Sequence, residues 1–239
     1  LISLLMNIAT APRHNRSAAP SPSCRVCRSS GVRPFAAVEG KHYWRCETCE
    51  ATFLEEAQLP SIVEEFAHYL HHENDADDPR YRSFVSKLAQ PLLDALPERQ
   101  NGLDYGCGPS SALAAMLRQA GHAVRTYDPF FEPDQEALER RYDFIACSEV
   151  VEHFHNPGDE FDRLDAMLRP GGWLGIMTCF QAEDRRFDEW HYRRDPTHVA
   201  FYQEGTFRHL SRQRDWHCAI PAKDVVLIRK PRATEASAA

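Results

Sequence analysis

The stretch Leu103-Asp104-Tyr105-Gly106-Cys107-Gly108-Pro109-Ser110 constrains the fold more than any other, because an apolar lead ends in an acid and two close glycines. Ser111-Ala112-Leu113-Ala114-Ala115-Met116-Leu117 follows, with helix-favouring composition and an apolar face. A buried strand turning into a helix over glycines lets the backbone approach a ligand with no Cβ in the way, which suits a nucleoside cofactor. Asp128 ends the next apolar stretch, Ala123 to Tyr127, where a carboxylate can take both hydroxyls of a ribose. Tyr142 to Cys147 reads as another strand, and Leu168 to Met177 as helix end, glycine turn and strand.

Together these residues resemble the class I S-adenosylmethionine-dependent methyltransferases over roughly residues 82 to 230. Leu103 to Gly108 match the first motif, Asp128 the ribose acid, and Arg169-Pro170-Gly171-Gly172 the turn before the fifth strand. The resemblance implies a Rossmann-like α/β sheet and donor contacts from Asp104, Tyr105, Gly106, Gly108, Asp128, Pro129 and Ser148. A nicotinamide fingerprint, G-x-G-x-x-G, fits less well because position 111 is serine. Further strands are expected near Trp216 to Ile220 and Asp224 to Arg229, with helices over Ser111 to Ala120, Gly158 to Leu168 and Thr206 to Arg212. One departure stands out. Only 14 residues separate Asp128 from Asp143, so the third strand is expected to be missing and adenine to rest against Pro129 and Phe130.

The chain's 239 residues can hold one sizeable α/β core plus a small appendage. Asp and Glu outnumber Lys and Arg by 35 to 28, which argues against a broad nucleic-acid footprint while leaving room for a local basic patch. No apolar run is long enough to span a membrane, and Leu1 to Met6 lacks the basic leader of an export signal. Cys107, Cys147, Cys179 and Cys218 read as buried thiols of a reduced, cytoplasmic protein. The remaining four cysteines are paired: Cys24-Arg25-Val26-Cys27 and Cys46-Glu47-Thr48-Cys49 stand 18 residues apart. Two facing knuckles of this kind place four thiolates around a structural zinc, with Val32 to Trp44 forming short strands between them. Two disulfides, or an iron centre of the rubredoxin kind, are the other readings of the pairs.

The organisation expected is a flexible tail over 1–22, the four-cysteine zinc knuckle over 23–56, and two linking helices within 57–97 that can cap the active site. A methyltransferase domain over 98–231 and a second flexible tail over 232–239 complete it. His68, His71 and His72 crowd the end of the first helix and read as solvated or core-packed, because no cysteine nearby completes a metal set.

Ser148-Glu149-Val150-Val151-Glu152-His153 follows the fourth strand at the carboxyl edge of the sheet, where open α/β sheets hold their ligands. If a helix begins here, Glu149, Glu152 and His153 point to one side and can hold a divalent ion, Mg, Mn or Fe, with His198 completing the shell. Glu-x-x-Glu-His with a later His is similar to the metal site of the small-RNA 3'-terminal 2'-O-methyltransferases. The first part also resembles the ubiquinone-pathway O-methyltransferases. The competing reading makes His153 or His198 a simple base, with no ion. Cys179 to Gly205 carries Trp190, His191, Tyr192, Arg193, Arg194 and Asp195, a mixture that suits an acceptor pocket. Trp190 and Tyr192 are equally packing anchors, Arg193 and Arg194 read as a solvated face ahead of a seat for an anionic acceptor, and Asp195 can simply cap its turn.

The function expected is methyl transfer to a small-molecule acceptor, at oxygen, without nucleic acid or membrane as partner; the oligomeric state is open. RNA methylation and a non-catalytic zinc-bearing module on a methyltransferase scaffold are the alternatives.

Overall fold

Residues 23–71 and 75–232 are described by the computed structural model, so the expectations for His72, for residues 1–22 and for 233–239 lie outside the described residues. The first elements are β1 (Val32–Val38), β2 (Lys41–Cys46) and β3 (Thr52–Leu54), a short antiparallel meander. Two helices follow, α1 (Ile62–Tyr69) and α2 (Pro79–Ala95). Ser61 and Glu64 close a capping box on α1, and Asp78 caps α2 with Pro79 in its first turn, where the missing N–H costs nothing.

The main sheet is built from β4 (Asn101–Tyr105), β5 (Ala123–Tyr127), β6 (Tyr142–Ser148) and β7 (Leu168–Met177), with β9 (His217–Ala222) and β10 (Val225–Arg229) at the end. Its order is β5-β4-β6-β7-β10-β9. The first four run parallel and β10 runs antiparallel to both neighbours, the closing hairpin expected of a class I methyltransferase sheet. Helices α3 (Ala112–Gln119), α4 (Gln135–Leu138), α5 (Pro157–Met167) and α6 (Glu204–Gln213) connect the strands. One face buries Leu88, Leu92, Leu113 and Leu117; the other buries Ile145, Phe161, Leu164 and Leu210. Parallel strands covered on both faces must be apolar throughout, as Phe144 to Cys147 are.

Among the described residues no strand forms between β5 and β6; Asp128 and Glu132 make a single bridge, and α4 fills the rest. The third strand is therefore absent, and β5 is an edge. A second result was not legible in advance. The strand β8 (Ala200–Phe201), from the insertion after β7, pairs with β3 and makes the knuckle sheet four-stranded, β1-β2-β3-β8. The appendage and the insertion thus share one ladder. Among the described residues no helix is long and apolar enough to cross a membrane.

Gly102 shows how tightly the sheet is covered, because a Cβ there would fall 2.0 Å from the Phe144 ring. Gly102→Ala should cost about 1–3 kcal/mol through overpacking. A urea midpoint equal to that of the unsubstituted chain would show that Phe144 can swing aside.

Candidate active site

The glycine turn after β4 is shaped by conformation and by crowding. Gly106 has φ of +78° and Gly108 of +63°, and a Cβ on Gly106 would meet Val150 at 2.6 Å. The amides of Gly106 and Cys107 both donate to the Tyr127 carbonyl, at 2.7 and 3.1 Å, which ties the turn to the end of β5. Asp128 completes the tie: its Oδ2 accepts from Gly108 N at 3.0 Å, and its Oδ1 from Phe130 N and Phe131 N at 2.8 and 3.1 Å. Asp104 lies beneath the turn instead of on its surface. Burial pushes its carboxyl up to about 6, although Ser111, whose hydroxyl donates to it, pulls the other way. Ser111 in turn caps α3 by accepting from Ala114 N at 2.8 Å. Asp104 therefore supports the turn, whereas Tyr105, Gly106, Gly108, Asp128, Pro129 and Ser148 line a cavity of about 1070 Å³.

The same cavity is lined by Glu149, His153 and His198. Glu149 does not start a helix. It sits in the left-handed region at φ +54°, and only a single 3-10 turn, Val151–His153, follows. This backbone break removes the helical spacing, yet Glu149 still lies close enough to Glu152 for their charges to interact. Glu152, His153 and His198 do converge, each offering a ligand atom within 4.8 Å of the others, while Glu149 stands on the wall outside that group.

Fully buried Glu152 accepts from the Tyr192 hydroxyl at 2.5 Å and from the Thr178 hydroxyl at 2.9 Å. Burial and then the nearby Glu149 charge push its carboxyl up to about 8, outweighing those hydrogen bonds. Glu149 is pushed up to about 7 by burial, partly offset by Tyr192. Both histidines are held by the same ring nitrogen. Nδ1 of His153 lies 3.1 Å from the Thr197 carbonyl oxygen, and Nδ1 of His198 lies 2.7 Å from the Tyr192 carbonyl oxygen. A carbonyl only accepts, so Nδ1 of His198 donates to it and ligation is left to Nε2; at His153, Nδ1 faces both the Thr197 carbonyl and the Tyr69 hydroxyl. His153 Nε2 is 4.0 Å from Glu152 Oε1. The rings of His153 and His198 pack edge to face at 4.7 Å.

Helix α1 covers this cavity with its polar and aromatic side. Glu65 Oε1 meets His155 Nε2 at 2.9 Å, His68 Nε2 meets Asp195 Oδ2 at 3.1 Å, and the Tyr69 hydroxyl meets His153 Nδ1 at 3.1 Å. Phe66 stacks on Phe130 at 5.7 Å, building an aromatic wall where the outer strand is missing. Val63 and Leu70 are exposed at 77% and 60%, and Ile62, on the cavity side of the helix, is exposed at 72%. Burial works against an ionised Asp195, but the Thr197 hydroxyl and the neighbouring His198 ring outweigh it and hold the carboxyl well below its ordinary range.

Arg193 corrects the sequence reading of a solvated face. It is buried, and its guanidinium donates to Glu39 and to the Asp188 carbonyl, away from the cavity; Arg194 alone is exposed. Trp190 packs against Phe187 and Phe201, so it anchors the insertion. The roles of Glu65, Tyr69 and His155 escaped the sequence. One signal was available for β8: Val199-Ala200-Phe201-Tyr202 is a strand-like run with no partner position left in the parallel sheet.

The four knuckle cysteines form a second buried group. Cys24 Sγ lies 3.7 Å from Cys49 Sγ, and Cys27 Sγ 3.6 Å from Cys46 Sγ, far beyond the ~2.05 Å of a disulfide. Tetrahedral zinc with Zn–S of about 2.3 Å sets sulfur–sulfur edges of about 3.8 Å. The leading cysteine of each pair accepts two backbone N–H groups, Cys24 from Val26 and Cys27, and Cys46 from Thr48 and Cys49.

The profile of the family described as Methyltransferase domain matches residues 69–219. Biotin biosynthesis bifunctional protein BioCD of Bordetella avium is 30% identical over 118 residues, covering 41% of this chain and 25% of that protein, so the match spans a quarter of the relative's length. Similar solved structures include the N-methyltransferase NodS from Bradyrhizobium japonicum in complex with S-adenosylhomocysteine, at 17% identity and TM-score 0.46, covering 70% of this chain and 97% of that one. An O-methyltransferase family protein from Burkholderia thailandensis aligns at 14% identity and TM-score 0.48, covering 72% of this chain and 63% of that one.

A raised carboxyl pKa makes folding weaken with rising pH, because the native state keeps a proton that the unfolded chain releases. For Glu152 the loss begins near the ordinary 4.5 and is complete above about 8. Without added divalent metal, the melting temperature should therefore fall more steeply between pH 5.5 and 8 for the unsubstituted chain than for Glu152→Gln. Parallel slopes would mean that Glu152 is already ionised.

Proposed function

The chain belongs to the methyltransferase-domain family of class I S-adenosylmethionine-dependent enzymes, and from that premise we propose that it methylates a small-molecule acceptor, at an oxygen atom. The observation that carries this reading is one cavity lined both by the glycine turn with Asp128 and by His153 and His198. The donor's sulfonium is already activated, so the protein's main task is to align its methyl group with the acceptor. In this assignment Gly106 and Gly108 admit the donor, Asp128 faces its ribose, and Pro129 with Phe130 forms the wall for its base. Tyr105 and Ser148 border the same space, and Asp104 acts from below.

An alcohol or phenol is a weak nucleophile until its proton leaves. Glu152, His153 and His198 are assigned to a divalent ion that would lower the acceptor's pKa, with Glu149 on the adjoining wall. The donor set supports the assignment: one carboxylate and two imidazoles, with Nδ1 of His198 turned to the Tyr192 carbonyl so that Nε2 is its ligating atom. Nitrogen and oxygen donors of this kind suit Mn or Fe, and the carboxylate also suits Mg. Cys24, Cys27, Cys46 and Cys49 are assigned to a separate structural zinc, supported by their sulfur separations. The cavity walls offer pockets for a compact acceptor, in keeping with an acidic chain that carries no basic tract for nucleic acid.

Two measurements test this function. Asp128→Asn keeps an oxygen for the Phe130 and Phe131 amides while removing the charge, and should weaken S-adenosylmethionine binding by about 1–3 kcal/mol, roughly 5- to 150-fold in calorimetry. Unchanged affinity in the folded variant would refute the ribose role. The metal assignments separate in one set of titrations. Cys46→Ser should lose the zinc found by metal analysis, whereas His198→Ala should keep it and bind Mn²⁺ at least about tenfold more weakly. Normal Mn²⁺ binding by His198→Ala would leave the residue as a base or as packing, and retained zinc in Cys46→Ser would remove the knuckle assignment.

A further inference from the structure

We propose that Arg25, inside the first thiolate pair, is a positioning residue of the active site, through which the knuckle holds the loop that follows His153. Its backbone is fixed on both sides, since Cys24 Sγ accepts from the amides of Val26 and Cys27 at 3.4 Å. The side chain crosses the face of Phe53, 5.2 Å from the ring centre, and ends between two carbonyls of distant segments. One guanidinium nitrogen donates to His155 O at 2.9 Å, and the other donates to Leu54 O. The carbonyl of Arg25 also accepts from Gly158 N at 2.8 Å. Position 158 is glycine for a reason of space: a Cβ would fall 3.0 Å from Arg25 O and 3.2 Å from Val26 O.

These contacts clamp the segment from His155 to Gly158 at both ends. The clamp reaches the cavity directly. His155 lines it, and its ring meets Glu65 of α1, so the carbonyl held by Arg25 belongs to the residue that steadies the covering helix. Two residues earlier stands His153, whose ring bears on His198. A planar guanidinium can serve both carbonyls at once, whereas an ammonium on a flexible stem serves one well. Docking of the knuckle as a body has separate support, because Arg28 pairs with Asp159 and Asp162 on the surface of α5. Positioning by Arg25 and general docking are thus different things.

The inference takes from the proposed function only that this cavity is the reacting site, and its test does not require turnover. Arg25→Met, Arg25→Lys and Arg28→Ala would be prepared with cobalt in the knuckle, whose thiolate bands report an intact metal set. Amide exchange would then be followed by mass spectrometry over 153–158. Arg25→Met should keep the cobalt bands and the binding of S-adenosylhomocysteine to within about threefold, while exchange over 153–158 accelerates about tenfold. Arg25→Lys should fall between Arg25→Met and the unsubstituted chain, and Arg28→Ala should leave that segment protected. Unchanged protection in Arg25→Met with intact cobalt bands would overturn the proposal. Equal acceleration in Arg28→Ala would overturn it too, since docking alone would then explain the effect. Should Arg25→Met not fold, Arg25→Lys against Arg28→Ala decides the same question: protection in Arg25→Lys equal to that of the unsubstituted chain overturns the proposal.

Discussion

Two backbone hydrogen bonds join the cysteine-rich end of the chain to the turn that carries Glu152 and His153. Leu54 N donates to Val199 O, and Val199 N donates at 2.9 Å to the carbonyl of Glu152. Val199 is thus the hinge pin between the knuckle sheet and the turn that carries the buried acid. Next to it, the Tyr202 hydroxyl donates to Val151 O at 2.7 Å, and Phe201 packs among Tyr43 and Phe187. A single 3-10 turn cannot orient Glu152 and His153 by itself, because it has no ladder of its own to resist rotation. Its geometry is imposed from outside, by Val199 and Tyr202.

The loss of the outer strand changes what the donor side must do. In a sheet edged by β5, nothing regular covers the space past Asp128, and that acid takes over the work of ordering it. Its two oxygens gather the amides of Gly108, Phe130 and Phe131, so one side chain fixes both the glycine turn and the aromatic wall. A carboxylate has about four lone-pair sites, and three are occupied before any ligand arrives. Asp128 thus preorganises this side of the cavity through bonds already made within the chain.

The parallel sheet was readable because each of its signals is local. A glycine that needs positive φ, an acid at a strand end and an apolar run long enough for a buried strand all announce themselves within a few residues, as Gly106, Asp128 and Phe144 do. The four-cysteine group was readable for the same reason, its spacing being its geometry. Long-range pairing leaves at most a strand-like run that does not name its partner. β8 is two residues long and finds its partner in β3, far earlier in the chain, and Arg193 reaches back to Glu39. The helical spacing assumed for Glu149, Glu152 and His153 failed at one dihedral, the left-handed φ of Glu149, where no glycine advertised a break. Three of the four residues still meet, because the long-range contacts through Val199 and Thr197 decide where they point.

Helix α1 is inside out. It turns acid, imidazole and phenol inward while Ile62 at the cavity mouth, Val63 and Leu70 stay largely exposed, so burial of apolar area contributes little to holding it down. What remains is a handful of polar contacts and one aromatic stack, each worth about 1 kcal/mol. Its eight residues are also too few for a helix to persist alone in water. The roof of the cavity is therefore the region most ready to breathe, and the sum of those few contacts, well below the stability of the sheet beneath, sets how often the chamber opens to solvent.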